Sequence, residues 1–484
     1  MRAGACRAVA RSAKADRIYE LMRRRIAATV LAAVVLVAST AAQPQQVDLI
    51  VYNATVVTMD AAGRVVPRGA VAIAGNQILA VDTAEAIVSR FSAKETIDAE
   101  GQIVMPGLIN THGHAPMVLY RGLADDLALM EWLQNYIFPA EAKTVTPAFV
   151  RAGTRLAAME MIQSGTTTYA DMYYFEEEIA RVTREAGMRG VLGQTIIQFP
   201  VADAKTPAEG LVRTEAFLKE FAGDELITPA IAPHAMYTND AATLKSARAM
   251  ADKYQAQVII HLAETSDEAQ NSQKQHKMSP TRYLESLNFW GARTLAAHAV
   301  WLDDADIQIL ARRKVGVSHN PESNMKLASG TAKVPAMRTA SVNVGLGTDG
   351  AASNNDLDMF EAMRQAALLQ KHATKDPRAL PAKDALAMAT IEGARALGMA
   401  DRVGSLEPGK RADMIIVSMA GARQTPMYDP ISHLVYVARG EDVRTSIVNG
   451  KVLMRDRKML TLNEADVIRE ANEMAQQVRA AVKK

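Results

Sequence analysis

Eight apolar runs with strand-like composition alternate with amphipathic, helix-like segments through the middle of this 484-residue chain. The strand-like runs cover residues 103–109, 166–170, 190–196, 228–232, 258–260, 294–297, 315–318 and 342–346, and helical periodicity covers 147–162, 176–186, 241–254 and 303–314. Strands that alternate with helices form parallel β–α–β units. Eight such units predict an α/β fold, a (β/α)8 TIM-like barrel, over residues 104–402.

Ionisable residues stand at the carboxyl ends of several of these runs. They include His112 and His114 after the first run, His261 and His298 at the fifth and sixth, and Asp349 after the last. Side chains two positions apart on a strand point to the same face, so His112 and His114 project toward one point. Taken alone, this pair is compatible both with half of a zinc site and with two surface histidines. Because barrels carry their catalytic residues at these strand ends, the whole pattern predicts a site there.

Shorter strands separated by turns flank the barrel on both sides. Residues 43–103 contain several, with Gly75-Asn76 between two of them, and residues 403–460 contain a hairpin turn at Asn449-Gly450. We expect these two segments to form one small β-sandwich built from both chain ends. Residues 461–484 read as a C-terminal helix.

Charge and composition exclude some classes of partner. The net charge is only +2, no basic run is interleaved with aromatic residues, and aromatic residues make up 5% of the chain. Neither a basic surface for nucleic acid nor a stacking platform for single strands is indicated. We therefore expect no nucleic-acid partner, and the sequence leaves a homo-oligomer open.

The first 42 residues are predicted to form a leader that is not part of the folded domain. Arg23-Arg24-Arg25 precede an apolar run at residues 26–38 and a small-residue segment at 39–43, which is the order found in secretory signals. The pattern predicts a periplasmic or secreted protein without stable membrane insertion after cleavage, and an uncleaved membrane anchor is the alternative. The leader holds the single cysteine, Cys6, and translation could start at Met1 or at Met22.

Several motifs together resemble the amidohydrolase superfamily and, within it, the 5′-methylthioadenosine/S-adenosylhomocysteine deaminases. They are His112-Gly113-His114, His261-Leu262-Ala263-Glu264-Thr265, His298, Ser318-His319-Asn320-Pro321 with the following Ser323–Gly330 stretch, Gly347-Thr348-Asp349-Gly350-Ala351-Ala352-Ser353-Asn354-Asn355, and Glu407-Pro408-Gly409-Lys410-Arg411-Ala412-Asp413. Each motif alone is weak, but their combination is highly specific. The resemblance spans about residues 48–460.

The resemblance implies a metal site made of His112, His114, His261 and Asp349. Three imidazoles and one carboxylate suit Zn²⁺ with a water in the open position, and another divalent metal such as Fe²⁺ is an alternative. Two-metal members of the superfamily bridge their ions with a Lys or Glu on the fourth strand. Because the fourth strand here has neither before His234, we expect one metal per chain.

The resemblance also implies the residues that move protons. Glu264 lies three residues after His261, where it can face the site without binding metal, as the non-ligand Glu of zinc deaminases does. Asp349 would accept a proton from the attacking water, and His298 would orient that water. Alternatively, Glu264 has no catalytic role and lies at the N-terminus of a helix, where the helix dipole favours a negative charge.

Substrate contacts follow from the same resemblance. Glu141 would bind the ribose hydroxyls, Trp132 would cover the base, and His234 would contact the sugar or the ring. Ser353 and Gln194 complete the set of expected substrate-binding residues. Trp132 could equally be a core residue on a helix face, since buried aromatic residues are common.

One stretch departs from the relatives that accept S-adenosylhomocysteine well. Those relatives hold the substrate carboxylate with arginines after the third strand, whereas residues 194–207 contain Lys205 and no arginine. A weaker hold on a carboxylate favours 5′-methylthioadenosine or adenosine over S-adenosylhomocysteine.

The sequence predicts a zinc-dependent hydrolase that deaminates an adenine nucleoside at C6, giving the inosine analogue and ammonia. Alternatives with the same metal residues are a guanine or s-triazine deaminase or chlorohydrolase, and a cyclic amide hydrolase. An exported metal-binding protein on an inactive barrel is a further alternative, but metal binding alone does not require Glu264 and His298. Fold alone does not decide between these functions.

The leader pattern predicts that the mature protein begins near Gln43. N-terminal sequencing of the protein purified from its native cell measures this start directly. Recovery of the intact chain from the cytosol would show that no signal peptide is removed.

Overall fold

The computed structural model describes residues 14–27 and 43–482. Two compact units divide the chain, and the first, which ends at Gln45, contributes helix α1 at residues 14–27 to the described part. Residues 28–42, which hold most of the apolar run and the expected cleavage segment, lie outside the described residues, so the signal peptide stays a prediction. No helix in the two described ranges is long and apolar enough to cross a membrane.

The second unit contains the strands of two sheets. In chain order they are β1 (Gln45–Val57), β2 (Val65–Ala74), β3 (Gln77–Thr83), β4 (Phe91–Asp98), β5 (Ile103–Pro106), β6 (Leu108–Gly113), β7 (Thr166–Tyr173), β8 (Arg189–Ile196), β9 (Ile227–Pro233), β10 (Gln257–Leu262), β11 (Thr294–His298), β12 (Gly316–His319), β13 (Asn343–Leu346), β14 (Met414–Val417), β15 (Val443–Val448), β16 (Lys451–Arg455) and β17 (Lys458–Met459).

Helices fill the connections. They are α2 (Ala84–Arg90), α3 (Leu129–Trp132), α4 (Phe138–Thr144), α5 (Pro147–Gln163), α6 (Glu176–Ala186), α7 (Pro207–Glu220), α8 (Ala241–Tyr254), α9 (Ser266–His276), α10 (Pro280–Ser286), α11 (Asp304–Arg313), α12 (Pro321–Lys326), α13 (Val334–Thr339), α14 (Met359–Thr374), α15 (Ala382–Met388), α16 (Ile391–Ala396), α17 (Pro430–Tyr436) and α18 (Glu464–Val482), with a π turn at Leu133–Ile137 and 3₁₀ turns at Ala115–Tyr120, Ala422–Gln424 and Gly440–Asp442.

Strands β6 to β13 form the predicted barrel. Each pairs with the next in chain order and the pairs are parallel, as βαβ units require. The ring closes between its first and last strands, where the Asp349 N–H donates to the His112 carbonyl at 3.0 Å. The (β/α)8 barrel predicted from the sequence is confirmed.

Side-chain caps fix where the helices begin. Thr146, Asp240 and Thr265 each accept a hydrogen bond from a backbone N–H in the first turn, at α5, α8 and α9. The helices predicted at 176–186 and 241–254 have those bounds in the structure. The helices predicted at 147–162 and 303–314 differ from the structure by no more than one residue at either end.

The other sheet combines strands from both ends of the chain, as predicted. Its order is β17-β16-β15-β14-β5-β1-β2-β3, with β4 also paired to β1. The N-terminal strand β5 lies between β1, parallel to it, and the C-terminal strand β14, antiparallel to it. The N-terminal part of this sheet is therefore completed only by residues that follow the barrel.

The single strand predicted at residues 103–109 is two strands that belong to different sheets. Gly107 separates them: its N–H donates to the Asp413 carbonyl at 3.1 Å, and the next N–H, of Leu108, donates to Gly165 at 3.0 Å. A Cβ at Gly107 would lie 2.1 Å from the Thr167 side chain, so only glycine fits this crossing. An apolar run alone does not reveal such a change of partner.

A buried ion pair joins the barrel to the other sheet. Arg189, at the start of β8, donates to both oxygens of Asp413, at 2.9 and 3.2 Å, and to the Glu225 carbonyl at 2.8 Å. The two side chains are 0% and 2% exposed. The Asn449 N–H donates to the same carboxylate at 2.6 Å, so the pair's hydrogen-bonding groups are well satisfied.

Replacing Arg189 with Met should lower the free energy of unfolding by about 3–5 kcal/mol, because it leaves the Asp413 carboxylate buried without its partner. Urea unfolding followed by circular dichroism measures the change. Arg469→Met is the matched control: its two carboxylate partners and its own side chain are more than half exposed, so its loss should be about 1 kcal/mol or less. Equal losses in the two variants would contradict a structural role for the buried pair.

Candidate active site

Three histidine rings meet at the carboxyl end of the barrel. His112 lies on β6, His114 follows it, and His261 lies on β10. The ring centroid of His112 is 4.9 Å from those of both His114 and His261, and the latter two are 5.5 Å apart. The strand-end position and the two-residue spacing thus bring together the histidines that the sequence predicted.

Asp349 completes this cluster from the other side of the barrel closure. Its Oδ1 lies 3.2 Å from His114 Nε2 and 3.5 Å from His112 Nε2. The residue has a left-handed backbone with φ of 65°, which is uncommon for a non-glycine residue and turns the chain out of the last strand. Ser323 Oγ donates to Asp349 Oδ2 at 2.7 Å and the Gly350 N–H donates to Oδ1 at 2.8 Å, so the carboxylate is held in place.

Backbone carbonyls orient two of the three imidazoles. His114 Nδ1 donates to the Met172 carbonyl at 2.7 Å, and His261 Nδ1 donates to the His234 carbonyl at 2.9 Å. Because a carbonyl only accepts, each Nδ1 carries the proton and each Nε2 keeps its lone pair for a ligand. Both ring nitrogens of His112 are buried and have no hydrogen-bond partner.

Burial sets the charge of these groups. It lowers the pKa of His112 to about 4 and that of His261 well below its usual value, so both rings are neutral at pH 7. Burial acts in the same direction on His114, but the hydrogen bond with Asp349 raises its pKa to about 9. A metal at this position would displace the proton that His114 and Asp349 share.

The arrangement fits a divalent metal. Ligand atoms of His112, His114 and His261 lie within 4.8 Å of one another, and so do those of His112, His298 and Asp349. Imidazole nitrogens with one carboxylate oxygen suit a borderline transition-metal ion better than Ca²⁺ or Mg²⁺. The described residues that line the cavity above include no lysine.

Two further ionisable groups face the same point. Glu264 Oε2 lies 3.8 Å from His298 Nε2, which in turn lies 3.9 Å from Asp349 Oδ2. His298 Nδ1 donates to the amide oxygen of Asn324 at 2.9 Å, so that Nε2 faces the two carboxyl groups. Burial raises the pKa of Glu264, which favours the protonated form of this carboxyl.

A cavity opens above these groups and contains most of the predicted substrate-binding residues. Glu141, Trp132, His234 and Ser353 line it together with Glu264, His298 and Asp349. Tyr173 donates from its hydroxyl to Glu141 Oε1 at 2.7 Å, and burial raises the pKa of Glu141 to about 7. Burial lowers the pKa of His234 to about 3, so this ring is neutral.

Gln194 does not line the cavity. Successive side chains on a strand point to opposite faces, and on β8 it is Thr195 that faces the cavity. The Gln194 amide is buried on the other face, where it donates to Asp203 Oδ2 at 2.8 Å. We predicted that Gln194 contacts the substrate, but in the structure its side chain lies on the face of β8 that points away from the cavity.

The sequence reasoning missed Tyr173 as a site residue. It stands at the carboxyl end of β7, the same position along a strand that identified the histidines, but a tyrosine in an apolar run reads as core. Ser323 and Asn324 stood in a motif without an assigned role, and they position Asp349 and His298.

A second cavity of about 650 Å³ adjoins the first and shares Leu129 and Tyr237 with it. Its lining includes three acidic residues, Asp240, Asp267 and Glu268, and the described residues that form it include no lysine or arginine. Ligand extensions that leave the first cavity here would meet negative and neutral groups.

Known proteins are similar to this chain in sequence and in fold. The amidohydrolase family profile matches residues 103–453. The 5-methylthioadenosine/S-adenosylhomocysteine deaminase 1 of Syntrophus aciditrophicus (strain SB) is 45% identical over 439 residues, which cover 91% of this chain and 99% of that one. The 5'-deoxyadenosine deaminase of Methanococcoides burtonii (strain DSM 6242) is also 45% identical, over 88% of this chain and 97% of that one.

A solved structure agrees over the same extent. An adenosine deaminase from Xanthomonas campestris, solved with bound zinc, superimposes with a TM-score of 0.89 at 39% identity. The alignment covers 90% of this chain and 100% of the other.

Elemental analysis of the purified protein should find about one divalent ion per chain. His261→Ala should lose the ion together with activity, because it removes one of the converging nitrogens. His372→Ala, an exposed histidine on α14, is the matched control and should keep the metal. Two ions per chain in a fully active sample would show that the single-metal site is wrong.

Proposed function

Because the chain belongs to the amidohydrolase family, we propose that it is a zinc-dependent aminohydrolase that deaminates an adenine nucleoside at C6. The products are the inosine analogue and ammonia. The observation that carries the proposal is that Glu264, His298 and Asp349 meet at one point of a cavity that also contains Glu141. Deamination needs a proton donor, a proton acceptor and a group that holds the nucleoside.

His112, His114, His261 and Asp349 would hold the metal. Their donor set favours zinc, and Fe²⁺ is the alternative that imidazole also accommodates. When bound, zinc supplies a water that is readily deprotonated near pH 7. The relative from Xanthomonas, which was solved with zinc, supports this choice.

The protein's own residues then move the protons. Asp349 takes a proton from the water whose oxygen attacks C6, and His298 orients that water. Glu264 gives its proton to ring nitrogen N1, so the C6 carbon becomes tetrahedral without charge building on the ring. Asp349 passes its proton to the amino group, the C6–N bond breaks and ammonia leaves. The C6 hydroxyl gives its remaining proton to the Glu264 carboxylate, which forms the C6 carbonyl of the product and restores the protonated Glu264.

Glu141 would hold the ribose. A carboxylate accepts hydrogen bonds from two neighbouring hydroxyls, and Tyr173 fixes the position of Glu141 through Oε1. Trp132 and His234 line the same cavity, where they can cover the base and contact the ring. A free base or a triazine offers nothing to Glu141, which favours a nucleoside over guanine, an s-triazine or a cyclic amide.

The 5′ end of the nucleoside would point toward the second cavity. The acidic side chains there give the carboxylate of S-adenosylhomocysteine no positive partner, and residues 194–207 contain no arginine to supply one, although its ammonium group is compatible with them. We therefore favour 5′-methylthioadenosine, 5′-deoxyadenosine or adenosine as the substrate. The relative named a 5'-deoxyadenosine deaminase supports a small uncharged 5′ group.

The place of action that we propose is outside the cytoplasm. It depends on the leader sequence alone, in which an arginine run precedes an apolar segment and small residues. The N-terminal sequence of the native protein tests it independently of the activity.

Glu264→Gln should retain zinc while turnover falls about 10²–10⁴-fold, the usual contribution of a general acid–base group. The amide keeps the shape of the side chain but has no acidic proton that it can transfer to N1. Ammonia release and metal content should be measured on the same samples, with His261→Ala as the variant that loses both. Near-normal turnover of Glu264→Gln would exclude the proposed proton path.

Glu141→Gln should raise KM for the best nucleoside about 10–100-fold with a smaller change in kcat, because it weakens charged hydrogen bonds to the ribose. Ammonia release by both the parent and the variant should be measured with adenosine, 5′-methylthioadenosine, 5′-deoxyadenosine, S-adenosylhomocysteine, adenine and guanine. Activity of the parent on free guanine that exceeds its activity on every nucleoside would contradict the proposed substrate class.

A further inference from the structure

Three carboxyl groups form a second cluster apart from the metal residues. Glu322 lies on α12, Asp356 in the loop that follows Asp349, and Glu361 in the first turn of α14. One carboxylate oxygen from each lies within 4.8 Å of the others. None of the three lines the catalytic cavity, and the proposed deamination uses none of them.

Glu322 is the group that this arrangement leaves unsatisfied. Both of its carboxylate oxygens are buried without a hydrogen-bond partner, and one of them lies within 4.8 Å of a carboxylate oxygen of each of the other two residues. The Asn354 amide donates one N–H to the Thr348 carbonyl at 2.6 Å, and its effect on the pKa of Glu322 is smaller than that of burial and of the neighbouring carboxylates. A buried carboxylate without a partner costs several kcal/mol, so a group of this kind implies a ligand or a proton.

The surroundings of the cluster are acidic as well. Asp358 and Glu160 lie close enough to act on Asp356, and both already accept hydrogen bonds elsewhere, from the Gly440 and Leu357 N–H groups. The nearest ammonium on α12, Lys326, is bound by Asp125 and Asn355. Burial and the neighbouring carboxylates raise the pKa of Glu322 well above its usual value, and burial raises that of Asp356 to about 7.

We propose that Glu322, Asp356 and Glu361 bind a second, structural cation, and that this cation is Ca²⁺. Carboxylate oxygens are the ligands of hard cations, and three of them supply a strongly negative site. Ca²⁺ accepts several protein oxygens at about 2.3–2.6 Å in flexible geometry, whereas Mg²⁺ demands near-ideal octahedral geometry at about 2.0–2.1 Å and usually keeps several waters. Three carboxyl groups carried by two helices and a loop, with ligand oxygens within 4.8 Å of one another, therefore suit Ca²⁺ better than Mg²⁺.

The position of this site gives the cation a role in the catalytic centre. It would join α12 to the start of α14 across the loop that begins at Asp349. Glu322 is followed directly by Ser323, which donates to Asp349 Oδ2 and lies 3.1 Å from Ser353 Oγ. Calcium would therefore hold the loop that carries Asp349 while touching neither the zinc residues nor the substrate.

The alternative is that the three carboxyl groups share protons and bind no ion. The two cases differ in what a neutral replacement does. If a cation binds, Glu322→Gln removes a charged ligand and weakens binding. If protons are shared, the same change imitates the protonated state, and added Ca²⁺ has no effect on either protein.

Equilibrium dialysis of the full-length, zinc-loaded protein against radioactive Ca²⁺ tests the site without any substrate. We expect about one Ca²⁺ per chain in addition to zinc, and a rise of a few degrees in Tm at saturating Ca²⁺. Glu322→Gln and Asp356→Asn should each weaken Ca²⁺ binding about tenfold or more, with zinc content unchanged. Mg²⁺ and Mn²⁺ should compete only weakly.

The controls separate this site from other carboxylates and from misfolding. Asp376→Asn removes an exposed carboxylate that pairs with Arg378 and should leave Ca²⁺ binding unchanged. Glu361→Gln lies at an exposed helix position, so it reports on the site if Glu322→Gln does not fold. No bound Ca²⁺ in the parent, or equal binding in the parent and Glu361→Gln, would overturn the proposal, whatever the outcome of the deaminase assays.

Discussion

Closure of the barrel between its first and last strands is the constraint on which the site depends. The Asp349 N–H bonds to the His112 carbonyl, and the neighbouring Thr111 hydroxyl bonds to the Leu346 carbonyl, a residue 235 positions later in the chain. This pairing sets the carboxylate of Asp349 beside His112 on β6 and His114 directly after it. Without it, the three imidazoles would lack the carboxylate that completes their donor set.

Apolar and ionisable layers lie on top of each other inside the barrel. Ile109, Val191, Ile259 and Leu295 pack in an apolar layer, and the histidines and carboxyl groups stand at the strand ends beyond them. The apolar layer excludes water from the barrel interior. Charged groups next to it therefore interact strongly, because there is little water to screen them. It also explains why the imidazoles need carbonyl partners: each buried N–H must be satisfied within the protein.

Much of this was accessible from the sequence, because strands and helices alternate and polar residues mark where the strands end. The barrel and a site formed by ionisable residues at its strand ends follow from that pattern, and short strands separated by turns predicted that both chain ends complete the other sheet. The choice of His112, His114, His261 and Asp349 as one metal site came from the family resemblance. The face of β8 that carries Gln194 did not, since the apolar run there has no alternation to show which side is inward. Gly107 was missed for a related reason: a change of sheet within one apolar run leaves no mark in composition.

The interleaving of β5 between β1 and β14 has a consequence for how the chain is made. While the ribosome synthesises the barrel, β5 has an open edge, with unpaired N–H and C=O groups that could pair with another nascent chain. That edge is covered only when residues beyond Val417 have emerged. For this stretch of synthesis, the short length of β5, four residues, limits the edge that another chain could pair with.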